Sequence, residues 1–426
     1  MKMNEKRREH YAVKEKPVTG MKDILPREME IRDYVIGLIK ETYKEFGFTS
    51  METPCVEHIE NLTSKQGGDN EKLIFRILKR GEKLRIDEAK EENDLVDSGL
   101  RYDLTVPLSR FYSNNANELP SPFKALQMGN VFRADRPQRG RFRQFMQCDI
   151  DILGDPTNLA EIDVILATST LVGRLEFESF AIRINDRRFL KAMAAYSGFP
   201  EESYDQVFII LDKMDKIGKE GVAAELEEAG FPKEGIEKYI ALFDAIGEGI
   251  DGVNYCKEKL EGFLDPDVAD NMSTIIESVT EAKTANFRIV FDPTLVRGMS
   301  YYTGPIFEIC IDGFAGSVGG GGRYDEMIGK FTGTPTPATG FSIGFERIVM
   351  LLMERGFQVP GSMDKKAYLL DKKLSSEKLV EIVKKAGEER KSGKNVNIVY
   401  MKKNKKFQKE QLMAEGYETI EEVYND

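Results

Sequence analysis

Six alternating side chains of one short segment, Arg141, Arg143, Phe145, Gln147, Asp149 and Asp151, run from cations through a single ring to an amide and two carboxylates. A site that grips a polyphosphate, a flat base and then a cationic amine needs that order. Gln147 and Asp151 are four residues apart, about 13 Å at strand rise, the scale of a small metabolite. The intervening positions Phe142, Met146, Cys148, Ile150 and Ile152 are apolar and only Gln144 is not, so the segment reads as a period-two strand. A solvated polar face accounts for the alternation equally well; the segregation of charge is what argues for a ligand.

The strand is the return arm of a hairpin over Phe123–Gly154, turning at Asp135–Gly140, a loop rich in turn residues and arginine. Three other blocks carry polar groups at suggestive spacing. Asp103 and Thr105 lie two apart and share a face if Leu100–Pro107 is extended, as Pro107 favours. The glycine run Ala315–Asp325 is expected to open a helix and to let backbone pass close to a ligand or another strand. It has neither P-loop nor Rossmann spacing. Arg347 stands in the first turn of an apolar helix, where a cation opposes the helix dipole and calls for an anionic or aromatic partner.

The whole chain bounds these readings. Its 426 residues allow two or three domains. A net charge of −11 argues against indiscriminate nucleic-acid binding but leaves room for a local basic groove. The leader 1–16 has no apolar core and is expected to be mobile. No apolar run spans a membrane. Four scattered cysteines without a CxxC pair fit a reducing cytoplasm and argue against a disulfide framework or a structural metal site. With only His10 and His58 present, chemistry falls to carboxylates, arginines, tyrosines and bound cations. Helical periodicity fills Glu28–Phe46 and most of 189–284, and a strand–helix alternation follows Gly361. The lysines at 402, 403, 405, 406 and 409 could meet phosphates or form a solvated face.

The run FRADRPQRGRFRQF, followed by Gln147 and Asp151, resembles motif 2 of the class II aminoacyl-tRNA synthetases, and of the histidyl-tRNA synthetases in particular. The resemblance recurs in blocks from about Gly20 to about Gly356. It implies an α+β fold, a class II synthetase-like antiparallel sheet flanked by helices. The catalytic domain would occupy 17–188 and 285–358, a helical insertion 189–284 would approach the tRNA acceptor arm, and a small C-terminal α/β domain, anticodon-binding-like but short, would occupy 364–426. Motif 1, in the region of Glu28–Phe46, would build a homodimer.

The resemblance also implies roles. Arg133 would clamp the amino-acid carboxylate and the α-phosphate of ATP, and Arg297 would stabilise the charge that develops there. Arg141 and Arg347 would hold the terminal phosphates, bridged by Mg²⁺ without protein metal ligands, with Phe145 on the adenine. Asp103, Thr105 and Gln147 would surround the α-amine of histidine, with Asp151 and Tyr302 reading the imidazole and Tyr301 beside them. Arg136 and Gln138 would face the acceptor end of tRNA(His). Two positions depart from the family pattern: Ser300, where Asp is commoner, and Met146, where an aromatic or histidine commonly precedes Gln147. Asp103, where many bacterial members have Glu, is one methylene shorter. The implied reaction is ATP-dependent activation of histidine and its transfer to tRNA. Alternatives are a synthetase-like regulatory subunit of ATP phosphoribosyltransferase and a non-catalytic RNA-binding paralogue.

Overall fold

The computed structural model describes residues 15–63, 70–247, 249–298, 301–361 and 364–425. Most of the leader, Ser300 and Ser362 lie outside the described residues. By contact the chain divides into two units, one of 1–23 and Val35–Leu351, the other of Ile24–Tyr34 and Leu352–Asp426.

The chain opens with helix α1 (Pro26–Glu45), strands β1 (Thr49–Met51) and β2 (Val56–His58), the short helix α2 (Ile59–Thr63), and strands β3 (Arg76–Leu78) and β4 (Val96–Leu100). Helix α3 (Thr105–Asn115) leads to β5 (Phe123–Phe132) and β6 (Gln144–Leu153), then α4 (Leu159–Arg174) and β7 (Phe180–Asp186). Six helices follow: α5 (Arg187–Tyr196), α6 (Tyr204–Leu211), α7 (Met214–Glu228), α8 (Lys233–Ala245), α9 (Gly249–Lys259) and α10 (Pro266–Ala282). Strands β8 (Phe287–Phe291), β9 (Pro305–Ile311) and β10 (Ser317–Arg323) come next, followed by α11 (Asp325–Thr332), β11 (Ala338–Ile343) and α12 (Phe345–Glu354).

Eight of these strands form one sheet, ordered β1-β5-β6-β11-β10-β9-β7-β8, antiparallel inside and closed at each end by a parallel pair. Its spine is the β5–β6 hairpin, in unbroken register from Phe123↔Leu153 to Phe132↔Gln144. Cys148, Ile150 and Ile152 are fully buried on one face of β6, and α4 packs on β6 and β11 through a helix whose Ala160, Val164, Ala167 and Leu171 are all buried. The opposite face is not solvated: Asp149 and Asp151 are also buried. A smaller antiparallel sheet, β2-β4-β3, precedes the hairpin in the chain. Arg101, which follows β4, is buried and joined to the hairpin by Nε donating to the Asn130 carbonyl at 2.8 Å, and its Nη1 donates to the Thr53 carbonyl at 2.6 Å.

Three local expectations need correction. Leu100–Pro107 is not one extended strand: helix α3 begins at Thr105, with Leu108 N–H donating to the Leu104 carbonyl at 3.1 Å. Pro107 sits in the first turn, where its missing N–H leaves no helical bond unmade. The run Ala315–Asp325 opens helix α11 at its last residue, but its glycines are not helical: Ser317–Arg323 is strand β10, paired on both sides, because glycines there admit the neighbours that a Cβ would strike. The hairpin strands stop at Phe132 and Gln144, so Arg133, Arg141 and Arg143 belong to the connecting loop.

The second unit contains β12 (Lys365–Leu370), α13 (Ser376–Lys391), β13 (Asn395–Tyr400), α14 (Lys405–Ala414) and β14 (Thr419–Val423), a parallel sheet ordered β13-β12-β14. Tyr368, Leu370, Ile382, Ala386, Val396 and Val423 form its core on one face, and Ala367, Leu369 and Leu412 on the other. Lys405 and Lys409 pair with Glu422, whereas Lys402, Lys403 and Lys406 are exposed. Among the described residues no helix is long and apolar enough to cross a membrane.

Candidate active site

The polar face of β6 is the floor of two adjoining cavities. The first, about 460 Å³, is walled by the hairpin loop, the glycine strand and the start of α12, and Arg133, Arg141, Phe145, Arg297 and Arg347 all line it. The Arg133 guanidinium lies between two rings, 4.2 Å from the Tyr102 centroid and 5.1 Å from that of Phe145, while its Nε donates to the Tyr102 carbonyl at 3.0 Å. Arg347 donates to the Ser317 carbonyl. Burial, together with the positive charges of Arg141 and Arg297 nearby, lowers the Arg347 pKa. Cations that penalise one another in a half-enclosed space favour a multiply charged anion there.

Arg297 reaches this cavity because β10 has no side chain at Gly320. A Cβ there would lie 2.4 Å from Arg297 Nη1. The guanidinium donates to Glu308 and, at 2.8 Å, to the Ser317 hydroxyl.

The second cavity, about 420 Å³, collects Asp103, Thr105, Gln147, Asp151, Tyr301 and Tyr302, with Arg297 again in its wall. Asp151 lies over β11, opposite Gly340 in register, where a Cβ would come within 2.1 Å of its Oδ1. That oxygen accepts from the Tyr324 hydroxyl at 2.5 Å, while the buried Oδ2 has no hydrogen-bond partner. Burial, with Asp149 close by, pushes the Asp151 pKa up to about 8; burial also raises Asp149, to about 7. A buried carboxylate oxygen with no donor is costly unless a ligand supplies one. Tyr301 and Tyr302 meet edge to face, 4.6 Å between centroids, and Tyr301 also leans on Tyr324 at 5.4 Å.

Arg133, Gln147, Arg297 and Tyr302 line both cavities, so a ligand in one can meet a ligand in the other. Arg136 and Gln138 line neither; they stand exposed in the hairpin loop, where Gln138 and Arg141 form an isolated bridge. Asp103 reaches the second cavity from the start of α3, where its Oδ1 also accepts from the Val106 N–H at 3.0 Å. Arg143 leaves the row read from the sequence: its Nε donates to the Asp135 carbonyl at 3.0 Å, and it lines neither cavity.

The sequence pattern of the histidyl-tRNA synthetase family matches residues 20–348. The chain belongs to that family. A histidine–tRNA ligase of Leifsonia xyli subsp. xyli is 45% identical over 345 residues, covering 79% of this chain and 80% of the relative. One from Aeropyrum pernix is 36% identical over 353 residues, covering 80% and 75%. Among solved structures, the histidyl-tRNA synthetase of Nostoc sp. PCC 7120 superposes with a TM-score of 0.78 at 26% identity, over 95% of this chain and 90% of that one. A Bacillus halodurans structure described as an ATP phosphoribosyltransferase regulatory subunit/histidyl-tRNA synthetase reaches 0.74 at 21% identity, covering 96% and 100%, and shows a shared fold alone.

Sequence reasoning misses Tyr102, Asp149, Tyr324, Ser342 and Glu308 as members of the site. Asp149 was on the polar face of the row without a role. Tyr324 directly follows the glycine strand, and its contact with Asp151 bridges 173 positions. Only the sheet order joins them.

Proposed function

We infer that the chain is a histidine–tRNA ligase, which activates histidine with ATP and passes the histidyl group to tRNA(His). The observation that carries this is the unpartnered Oδ2 of Asp151, buried in a cavity that adjoins a cation-lined one. An imidazole N–H supplies the missing donor. An amino acid seated that way points its carboxylate to Arg133 and Arg297.

Adenylation joins two anions, so its barrier falls when their charge is neutralised where they meet and when they are held in line. Arg133 is held by two rings and the Tyr102 carbonyl, which fixes its fork without spending its charge. Arg141 and Arg347 take the outer phosphates and Phe145 the adenine. Asp103, Thr105 and Gln147 take the α-amine; Asp151 and Tyr302, beside Tyr301, read the ring. Leaving the site's polar groups unpaired would disfavour other amino acids by about 10⁴-fold.

The donor set fits Mg²⁺ as that ion is usually held, by phosphates and one or two carboxylates. Asp135 and Glu346 line the nucleotide cavity; in place of the expected absence of protein ligands, Glu346 is the carboxylate that would stand beside the ion, which would neutralise phosphate charge. Arg136 and Gln138 face the tRNA acceptor end, 189–284 is the insertion beside it, and 364–426 is a short anticodon-binding-like domain. The apolar side chains of Val18, Leu25 and Met29, exposed before and on α1, support a homodimer, and free cysteines support a cytoplasmic setting. Sedimentation tests the dimer: a monomer at micromolar concentration with full activity would exclude it.

The deciding experiment is histidine-dependent exchange of pyrophosphate into ATP, followed by charging of tRNA(His). Histidine binding without exchange would favour the regulatory-subunit reading; tRNA binding without either would favour the paralogue.

A further inference from the structure

We propose that Asp149 is a positioning residue for amino-acid binding: it fixes the Gln147 amide with its N–H edge turned inward and its carbonyl Oε1 turned to the α-ammonium of histidine. The inference rests on the histidine-activating function given above.

Asp149 is 4% exposed. In register it lies between Gln127 of β5 and Ser342 of β11. The Gln127 amide is spent elsewhere, donating to the Leu104 carbonyl at 3.2 Å and accepting from the Thr53 hydroxyl at 3.3 Å. The donors left to Asp149 are the Ser342 hydroxyl and Gln147 Nε2, which lies 2.9 Å from Oδ2 and 3.3 Å from Oδ1.

Above its raised pKa of about 7 Asp149 is an ionised carboxylate and only accepts, whereas an amide has one donating and one accepting end. One orientation of Gln147 therefore satisfies Asp149, with Nε2 also donating to the Ser342 hydroxyl oxygen at 3.3 Å, and it sends Oε1 the other way. There Oε1 accepts a long bond of 3.3 Å from Arg133 Nη2, and Gln147 borders both cavities. An ammonium brought to that oxygen finds an acceptor. A flipped amide would present two N–H groups and repel it.

The fold alone has little use for this carboxylate. Among the described residues no lysine or arginine forms an ion pair with Asp149; Arg133 acts on it only at longer range, against the negative field of Asp103. Burying an anion without a partner cation is unfavourable, and an amide or apolar side chain would fill the place at less cost. Setting the amide's orientation accounts for it.

The test is a double-mutant cycle read by calorimetric titration of histidine, with imidazole propanoate, which lacks the α-amine, as control. Asp149→Asn can donate as well as accept, so it releases the amide. It should weaken histidine binding about tenfold, the scale of one hydrogen bond to a charged group, and leave imidazole propanoate unchanged. In a Gln147→Ala background the same change should cost less than about twofold, since the group it acts through is gone. A repeated tenfold loss in that background would make Asp149 a direct ligand and overturn the proposal. So would equal weakening of both ligands, or no loss for either. If Asp149→Asn fails to fold, Asp149→Ser takes its place in the same cycle. Absence of histidine-dependent exchange in the unmodified protein would refute the ligase reading; exchange together with an unaffected Asp149→Asn would refute this inference alone.

Discussion

Glu308 holds Arg297 by two bonds to a single oxygen: Oε1 accepts from Nη2 at 2.6 Å and from Nε at 3.2 Å. The arginine's charge is thus engaged by the protein itself, and its orientation is set by the fold. Glu308 in turn lies 3.8 Å from Arg183, so removing Arg297 does not strand a carboxylate without a cation.

Arg297→Ala should therefore fold normally and fail in catalysis. We expect pyrophosphate exchange to fall about 10²–10³-fold, the loss seen when one preorganised donor to developing charge is removed. Histidine affinity, by titration, should change less than about threefold. A comparable loss of affinity would make Arg297 a ground-state ligand instead.

Gly320→Ala and Gly321→Ala should separate function from fold on one strand. At Gly320 the new methyl meets the Arg297 side chain, which can move away at the expense of its geometry. Exchange should drop between about tenfold and a hundredfold, with the unfolding midpoint nearly unchanged. At Gly321 the methyl would sit 2.0 Å from the Gly340 carbonyl oxygen, which cannot move without the sheet. That variant should lose about 1–3 kcal/mol of stability by denaturant titration. Equal stability losses in the two would contradict the assignment.

Asp151→Asn keeps an acceptor for the Tyr324 hydroxyl but places an amide N–H where Oδ2 stands free. An imidazole N–H then meets a donor. Histidine binding should weaken by about 1.5–3 kcal/mol, with ATP binding little affected. Unchanged histidine affinity in the folded variant would remove Asp151 from the pocket.

The same carboxylates predict a pH dependence of stability. Burial raises Asp149 to about 7 and Asp151 to about 8, above the 3.8 each has when unfolded. Between these values the folded chain keeps protons that the unfolded chain releases. Their contribution is therefore fully present below about pH 4 and is lost as pH rises through 7–8. Denaturation of the ligand-free protein from about pH 6 to about pH 9 should show falling stability, and Asp151→Asn should flatten the slope. Parallel slopes for the two proteins would show that Asp151 titrates normally.

The part of the site legible in sequence is the part carried by a strict period. Phe145, Gln147 and Asp151 sit as the alternation of β6 places them, since a strand that pairs without a bulge must keep its faces. The alternation fails one position past the ladder, at Arg143, where the loop turns its side chain toward the Asp135 carbonyl. Asp103 and Thr105 look like strand neighbours in sequence because Pro107 favours extension before it. It is tolerated in the first turn of α3, and local preference yielded to the helix that packs there. The glycine strand gives no propensity signal at all. What makes it a strand is close approach on both sides, a fact about other segments. Tyr324, Ser342 and Glu308 reach the site through sheet order, which no local pattern encodes.

The hairpin also separates two kinds of change that the chain could undergo. Along β6 a single inserted or deleted residue would exchange the buried apolar row for the polar one, moving Gln147 and Asp151 together to the wrong side. The tip from Asp135 to Gly140, between Arg133 and Arg141, has no such parity to preserve beyond its own small bridge. Length variation is thus cheap at the tip and ruinous along the arm. What approaches from outside can be revised through the tip, while the measure that admits one amino acid stays at a fixed count of residues.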